Sequence, residues 1–411
     1  MTGECSAPEL LAPAGDEQSL AAAIAYGADA VYLGAKAFGM RAKAANFDSE
    51  GLERAARQCH KAGVKLYLTC NTLPRGREVD ALPAFIRDAR DAGVDALIIA
   101  DLGVMMLAKR TAPNLPVHIS TQFGVVNKQT ARELYNLGAS RVVLARELTL
   151  EEIAEIRADT PADLGIEAFV HGAMCVSVSG RCILSNYMAD RDANRGECAQ
   201  PCRWTYALTE SKRPGQYFPI YEEDGYSYIL NSRDMRMIQH LDKLAVAGVD
   251  SLKIEGRAKT AYYVATITGA YRKALDLLQQ DPEHFVLPDA LLEETEKVSH
   301  RPYSTGFYLG DYPGQDTVRG GYRRLWELVA TVDGWEDGTL LCTGRNRFLP
   351  GETLELLCPD GPVPFPVTEI RDEEGNRLEV ACHPMMKLRL PCATPCPPGS
   401  MLRRKNNEIE I

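Results

Sequence analysis

Four cysteines lie close together near the middle of this 411-residue chain, in a segment rich in Gly, Asp and Asn. Their spacing is Cys175-x6-Cys182-x15-Cys198-x3-Cys202, so four thiols fall within 28 residues. Thiolates are the ligands of iron–sulfur clusters and of many structural zinc ions. Buried free cysteines are the alternative, but four in a polar, loop-like segment are hard to bury one by one. The pattern therefore predicts a metal site with these four ligands.

The spacing favours an iron–sulfur cluster over zinc. Structural zinc sites usually contain ligand pairs separated by roughly two to four residues, and only Cys198 and Cys202 form such a pair. The wider gap between Cys175 and Cys182 leaves room for the larger span of a cluster, and zinc is kept as the alternative metal. The cysteines of the C-terminal region are predicted to be structural: Cys342, Cys358, Cys382, Cys392 and Cys396.

Polar side chains stand at the ends of several predicted strands. Because side chains alternate between the two faces of a barrel strand, Glu167 and His171 should share one face of their strand, and Lys253 and Glu255 one face of theirs. A salt bridge inside the barrel is the alternative role for such charges. A whole ring of polar strand ends favours a substrate site instead. The candidate catalytic residues are Glu167, His171, Lys253 and Glu255.

Arginine and amide side chains in similar positions are candidates for substrate binding. Arginine is suited to bidentate contacts with carboxylate or phosphate groups, so a small anionic co-substrate would find its partners here. The predicted binding residues are Arg41, Asn71, Gln122, Arg146 and Arg257, with Asp101 as a further member of the polar ring.

An alternation of helical and strand patterns predicts the scaffold that positions these residues. Helical stretches end at a glycine and an apolar run follows, as in AYGADAVYLG and VAGVDSLKIEGR. Such alternation predicts an α/β fold with a parallel sheet, and eight units favour a (β/α)8 TIM-like barrel over a doubly wound open sheet. The predicted strands lie near Glu9–Pro13, Val31–Gly34, Lys65–Asn71, Ala96–Asp101, Val117–Gln122, Arg141–Arg146, Gly165–His171 and Ser251–Glu255.

The predicted domain organisation is a barrel, a connector and a small β domain. Residues 1–300 are assigned to the barrel, with a long cysteine-bearing insertion at about 172–250, after the seventh strand. Residues 301–323 are rich in turns and form the connector. Short strands broken by Gly, Pro and Asp predict a small C-terminal β-barrel over residues 324–411.

Charge and hydropathy limit the classes of partner. The net charge of −10 argues against broad, non-specific attraction to phosphate backbones, although a local basic patch could still bind RNA. The chain shows no apolar signal-like start and no apolar run long enough to span a bilayer, so we expect no membrane partner and a cytoplasmic location. The basic patches that could contact RNA are Arg319, Tyr322, Arg323 and Arg324, and Arg403, Arg404 and Lys405.

Several segments resemble the collagenase-like peptidase family, also called unassigned peptidase family 32. In chain order, they are ELLAPAGD, YGADAVYLG, EAFVHGAMCVSVSGRCILSNYM, RGECAQPCRW, YILNSRDMRMI and SLKIEGRAKTAYYVA. The resemblance covers nearly the whole chain. Within the family, the chain is most similar to the members implicated in forming 5-hydroxyuridine at the wobble position of tRNA, with prephenate and without molecular oxygen.

This resemblance implies a tRNA-modifying hydroxylase with prephenate as the oxygen donor and a [4Fe–4S] cluster on the four clustered cysteines. The alternatives are a peptidase, a hydroxylase of another RNA or of an aromatic substrate, and a non-catalytic, metal-stabilised RNA-binding or scaffold protein. The sequence contains neither an HExxH nor a GxSxG motif, although a cysteine nucleophile beside His171 is conceivable. The sequence leaves a homo-oligomer or a hetero-oligomer open.

Overall fold

A computed structural model describes residues 7–39, 46–175, 177–178, 181–204, 208–209, 217–218, 232–311 and 322–406. Strands and helices alternate through its first part. They are β1 (Glu9–Pro13), α1 (Glu17–Ala25), β2 (Ala30–Gly34), α2 (Ser49–Lys61), β3 (Lys65–Cys70), α3 (Glu78–Asp91), β4 (Ala96–Ile99), α4 (Leu102–Thr111), β5 (Val117–Ile119), α5 (Lys128–Asn136), β6 (Arg141–Val143), α6 (Leu150–Ala158) and β7 (Gly165–Ala173).

The cysteine-bearing insertion and the last barrel unit follow. The elements are α7 (Leu184–Ala189), β8 (Leu208–Thr209), β9 (Tyr217–Phe218), β10 (Asp234–Arg236), α8 (Leu241–Val246), β11 (Ser251–Ile254), α9 (Ala261–Gln280), α10 (Asp289–Glu296) and β12 (Tyr303–Ser304). Among the described residues, none of the helices is long and apolar enough to cross a membrane. The cytoplasmic location stays a prediction.

Eight parallel strands, β1 to β7 and β11, form a closed barrel. Each strand pairs with the next, and β11 pairs with both β1 and β7, which closes the ring. The predicted (β/α)8 barrel is therefore confirmed, and the open sheet is excluded. Seven of the eight strands begin at the predicted residue, and β2 begins one residue earlier.

The helices begin and end where local chemistry favours it. Asp16, Asp48 and Asp101 each accept a hydrogen bond from a backbone N–H in the first turn of α1, α2 and α4. Asp101, predicted in the polar ring, thus caps a helix. Gly27 and Gly248, which follow helices, have φ of +89° and +83°, a conformation that favours glycine because it lacks a Cβ.

The regular alternation of side chains breaks near the end of β7. Lys253 and Ile254 of β11 pair with Phe169 and His171, so Val170 is left without a partner in the register. An extra residue of this kind is a β-bulge, which redirects the side chains that follow it. His171 therefore does not share the face of Glu167 and Phe169, contrary to the prediction from strict alternation.

The C-terminal domain is an antiparallel sheet of mostly short strands. The predicted β character is confirmed, whereas closure of the sheet into a small β-barrel stays a prediction. Its core contains Val329, Phe348, Leu356 and Leu390, which are all buried. The sheet runs in the order β16-β15-β20-β13-β14-β19-β17-β18. The strands are β13 (Trp326–Glu336), β14 (Thr339–Gly344), β15 (Thr353–Cys358), β16 (Gly361–Pro366), β17 (Ile370–Arg371), β18 (Arg377–Leu378), β19 (Lys387–Pro391) and β20 (Met401–Lys405).

A buried cluster of charges joins this domain to the barrel. Arg403 of β20 is fully buried, and its Nη2 lies 2.6 Å from Glu294 Oε1 of α10. Its Nε donates to Glu355 Oε1 of β15 at 2.7 Å, and Lys297 Nζ lies 3.0 Å from the same oxygen. The predicted RNA-binding role for the basic patch at 403–405 is therefore wrong for Arg403, because its charge is neutralised inside the protein.

Candidate active site and metal centre

A cavity of about 850 Å³ opens at the carboxyl ends of the barrel strands. Such a volume suits a small ligand or a nucleobase, and this end of a (β/α)8 barrel is where catalytic residues gather. The lining includes all four clustered cysteines and six of the predicted polar residues: Asn71, Gln122, Arg146, Lys253, Glu255 and Arg257.

Two amide side chains stand together on one wall. Asn71 Nδ2 donates a hydrogen bond to Gln122 Oε1 at 2.9 Å, and Ser120 Oγ donates to the same oxygen at 3.1 Å. These bonds fix the orientation of the Gln122 amide. Amides carry both a donor and an acceptor, so this wall can match the polar edge of a heterocyclic base.

Lys253 and Glu167 form a salt bridge at the floor of the cavity. Lys253 Nζ lies 2.7 Å from Glu167 Oε1 and 4.4 Å from the centre of the Tyr32 ring. Burial lowers the pKa of Lys253, while the nearby carboxylate of Glu167 opposes that shift. Glu167 is fully buried and also contacts Arg141, with Nη1 3.1 Å from Oε2. Lys253 thus faces the cavity, whereas Glu167 orients it from below.

Arg146 is held flat against an aromatic ring. Its guanidinium carbon lies 3.8 Å from the centre of the Phe169 ring, and its Nη1 donates to the carbonyl of Ala173 at 3.1 Å. Stacking of this kind restrains arginine while leaving its charge available. The position fits the predicted role in binding an anion.

Arg257 occupies a buried recess at the same mouth. It is 3% exposed and donates from Nη1 to Thr69 Oγ1. A Cβ added to Gly34 would lie 2.7 Å from Nη1, so the guanidinium fits only because residue 34 is glycine. Arg41, the remaining predicted arginine, lies outside the described residues.

His171 lies among aromatic side chains behind the cavity wall. Its Nδ1 lies 3.3 Å from the hydroxyl of Tyr271, and its Nε2 lies 3.3 Å from the hydroxyl of Tyr303. Burial lowers its pKa well below the usual 6.5, and the charge of Arg236 adds to the effect. His171 is thus buried behind the wall, and the bulge at Val170 explains why strict alternation placed it on the face of Glu167. Its catalytic role stays a prediction.

The cysteines lie on the loop that leaves β7. Three of their sulfurs accept a backbone hydrogen bond from the residue two positions later. The three bonds run from Ser177 N to Cys175 Sγ at 3.5 Å, from Leu184 N to Cys182 Sγ at 3.4 Å, and from Gln200 N to Cys198 Sγ at 3.3 Å. Hydrogen bonds to sulfur stabilise thiolate charge and tune iron–sulfur clusters.

Side chains of the same loop fix it in place. Asn194 Oδ1 accepts from Cys182 N at 3.3 Å, and Asn194 Nδ2 donates to Cys182 O at 3.0 Å. Arg195 Nη1 donates to Glu78 Oε2 of α3 at 2.8 Å, which ties the loop to the barrel. The cysteine-bearing loop is therefore held both by hydrogen bonds within the loop and by a contact with helix α3.

The four clustered cysteines are the candidate donors for a metal. Within the described ranges, no group of three or more His, Cys, Asp or Glu side chains has a geometry that could hold a metal ion. All four sulfurs nevertheless line one cavity. Burial raises the pKa of Cys175, and the neighbouring Cys182 and Cys198 act in the same direction, as expected for thiols brought close together. Thiols with backbone N–H partners are the donor type of a thiolate-ligated group, but the described side chains are not arranged around a metal position.

The C-terminal domain contributes a wall that sequence patterns did not predict for the site. Tyr322 at the end of the connector and Arg324, Trp326 and Leu328 of the C-terminal domain line the cavity together with the barrel residues. The sequence predicts a basic patch at Tyr322, Arg323 and Arg324 that could contact RNA, but no local pattern indicates that this segment docks beside the barrel mouth. Of that patch, Arg319 lies outside the described residues.

Comparison with known families identifies the chain. Residues 15–317 match the model of peptidase family U32, and residues 324–403 match that of the peptidase family U32 C-terminal domain. The chain belongs to peptidase family U32. The resemblance found in the sequence motifs is therefore confirmed.

Relatives of this U32 chain carry several functional names. The tRNA hydroxylation protein P1 of Bacillus subtilis is 36% identical, over 97% of this chain and 94% of its own. The 23S rRNA 5-hydroxycytidine C2501 synthase of Escherichia coli is 37% identical, over 74% of this chain and 46% of its own. A protein of Porphyromonas gingivalis named collagenase is 36% identical, over 76% of each chain.

Proposed function

We propose that this U32 protein is an RNA-modifying enzyme that hydroxylates carbon 5 of the wobble uridine in tRNA. Two of its relatives are named for the hydroxylation of RNA. The observation that carries the proposal is that four cysteines and a ring of polar side chains line one cavity at the barrel mouth. In this proposal, the cavity combines a site for a redox group with a site for a substrate.

In this proposal Cys175, Cys182, Cys198 and Cys202 hold a [4Fe–4S] cluster. When bound, such a cluster supplies one-electron transfer. The backbone N–H groups that already reach three of the sulfurs stabilise the negative charge of the thiolates. Zinc on the same thiolates is the alternative and would give the site a structural role.

Prephenate is the proposed co-substrate and oxygen donor. It carries two carboxylates, and the cavity offers Arg146 and Arg257 on its walls and Lys253 on its floor. Arginine binds carboxylates in a fixed orientation, so the pair can select a dianion of matching span. Glu255, a carboxylate of the lining, is the proposed proton acceptor.

The nucleobase is proposed to enter from the side of the C-terminal domain. Enzymes that modify a base take it out of the stack into a pocket, and aromatic side chains commonly support unstacked bases. Trp326 and Tyr322 belong to that wall, and the amides of Asn71 and Gln122 stand across the lining. The C-terminal domain would thus help to hold the RNA.

Nucleoside analysis of tRNA tests the proposed function. A strain lacking the gene should lose 5-hydroxyuridine and its derivatives, and the wild-type gene should restore them. The anaerobic protein with prephenate and unmodified tRNA should form the same nucleoside in vitro. Unchanged nucleosides in a strain without a second U32 paralogue, together with inactivity in vitro, would refute the proposal.

A peptidase is the second candidate, favoured by the relative named collagenase. Its nucleophile would be Cys175, because that thiol lines the cavity. Incubation with gelatin distinguishes the two functions. Hydrolysis that is lost in Cys175→Ala and kept after iron is removed would support the peptidase, and we expect no hydrolysis.

A further inference from the structure

Two cysteines of the C-terminal domain meet outside the cavity. Cys358 ends strand β15, and Cys396 lies in the turn that precedes β20. Their sulfurs are 3.2 Å apart, although 38 positions separate them in the chain. The sequence predicts a structural role for both thiols but does not predict their contact, because only the fold brings β15 and this turn together.

The two thiols differ in access and in chemistry. Cys396 is 4% exposed and belongs to the core of the domain, whereas Cys358 is partly exposed. A hydrogen bond with Cys396 lowers the pKa of Cys358, against the opposing effect of burial. Cys358 is therefore both the more accessible and the more readily deprotonated thiol of the pair, and the thiolate is the reactive form.

We propose that Cys358 and Cys396 form an intramolecular disulfide by exchange with a low-molecular-weight disulfide. The thiolate of Cys358 attacks one sulfur of the small disulfide, which releases one small thiolate and leaves a mixed disulfide on Cys358. Cys396 then loses its proton to solvent and attacks the sulfur of Cys358, which releases the second small thiolate. Two protein thiols are oxidised, and one small disulfide is reduced to two thiols.

The bond would form beside the contact between the two domains. Leu357, the neighbour of Cys358, accepts a hydrogen bond from the hydroxyl of Tyr26 of the barrel at 2.9 Å. Leu357 also pairs with Met401 of β20, the strand that carries Arg403. A disulfide would tie the end of β15 to the turn before β20 and so reinforce the elements that dock on the barrel. Closing a loop of this length restricts the unfolded chain and raises stability.

Peptide mapping tests the proposal. The full-length protein is incubated anaerobically with oxidised glutathione, free thiols are alkylated, and peptides are analysed without reduction. We expect a peptide pair joined by Cys358 and Cys396 in the wild type and in the matched control Cys392→Ser. In Cys396→Ser, glutathione should instead accumulate on Cys358. Complete alkylation of both thiols in the wild type would overturn the proposal, as would a link between Cys358 and Cys392.

Thermal unfolding provides a second readout. Oxidation should raise the melting temperature of the wild type by a few degrees, a reductant should reverse the rise, and Cys358→Ser should show none. A rise of the same size in Cys358→Ser would show that other thiols cause it and would overturn the assignment. Neither measurement depends on RNA hydroxylation, so this proposal and the proposed function can fail separately.

Discussion

The ammonium group of Lys253 lies 2.7 Å from the carboxylate of Glu167, and only Lys253 faces the cavity. Beneath them, Arg141 Nη1 lies 3.1 Å from Glu167 Oε2 and 2.6 Å from Glu9 Oε1. Two carboxylates therefore balance two cations in the barrel interior. Removing one charge from such a group leaves an uncompensated buried ion, so the salt bridge both positions Lys253 and makes it costly to alter.

Glu167→Gln should lower the free energy of unfolding by about 3–5 kcal/mol, because Lys253 and Arg141 would keep their charges without a full partner. Lys253→Met should lower the free energy of unfolding by a similar amount, because the carboxylate of Glu167 would lose one of its cationic partners. The double variant restores neutrality and should be more stable than the sum of the two losses predicts. Urea unfolding of the four proteins measures this coupling, and strictly additive losses would rule out the charge-balance account.

His171→Gln should make the protein less sensitive to acid. Burial holds the pKa of His171 well below 6.5 in the folded state, whereas the unfolded chain takes up a proton near 6.5. Below that pH the unfolded state therefore binds more protons, and stability falls by up to about 1.4 kcal/mol per pH unit from this one residue. Above about pH 6.5, the contribution of His171 to the free energy of unfolding is fully present and no longer changes with pH. The free energy of unfolding, measured from denaturation curves between pH 7 and pH 5, should fall less steeply with decreasing pH in the variant. The same pH dependence in both proteins would contradict the assignment.

The barrel was predictable because its strands and turns are encoded locally. Apolar runs predicted the strands, and several of them, such as Ser251–Ile254, follow a glycine that ends a helix; seven strand starts were placed correctly in this way. Lys253 of β11 reaches the cavity as alternation predicted, and Glu255 and Arg257, which follow the strand, also line it. The fold and much of the polar lining therefore needed no tertiary information.

The errors arose where long-range contacts decide the outcome. A single bulge at Val170 moved His171 away from the predicted face. Arg403 looked like part of a surface patch, but its partners Glu294 and Glu355 lie 109 and 48 positions away. The contact between Cys358 and Cys396 is of the same kind. No local sequence pattern identifies a side-chain partner that becomes a neighbour only when the chain folds.

Arg146→Met should raise the KM for the anionic co-substrate by about 10–100-fold, the loss expected for a charged hydrogen bond. Methionine keeps apolar contact with Phe169, so stability should change little. Arg146→Lys should be intermediate, because lysine keeps the charge but loses the planar stack. Steady-state kinetics at varied co-substrate concentration test this, with the exposed Arg132→Met as control. An unchanged KM in Arg146→Met would remove Arg146 from the binding site.

Alanine at Cys198 should abolish the iron content of anaerobically reconstituted protein, because a cluster needs its thiolate ligands. Cys382→Ser is the matched control, since Cys382 is an exposed thiol of the C-terminal domain. Iron analysis and visible absorbance should distinguish the two variants. If both bind iron like the wild type, Cys198 is not a ligand. If the wild type holds zinc instead of iron after anaerobic purification, the redox role fails.

Arg403 and Arg404 are neighbours on β20, yet their substitutions should differ sharply. Arg403→Met leaves Glu294 and Glu355 at the domain contact short of a cation, so the free energy of unfolding should fall by about 3–5 kcal/mol. Arg404 is partly exposed and pairs with Glu327 at 2.7 Å and Glu352 at 2.6 Å, and Arg404→Gln should cost at most about 1 kcal/mol. Loss of tRNA affinity in Arg403→Met, with normal affinity in Arg404→Gln, would show that domain docking holds the cavity wall in place for RNA. If only Arg404→Gln weakens tRNA binding, this edge of the domain contacts RNA directly and the wall formed by Tyr322 and Trp326 is not the binding surface.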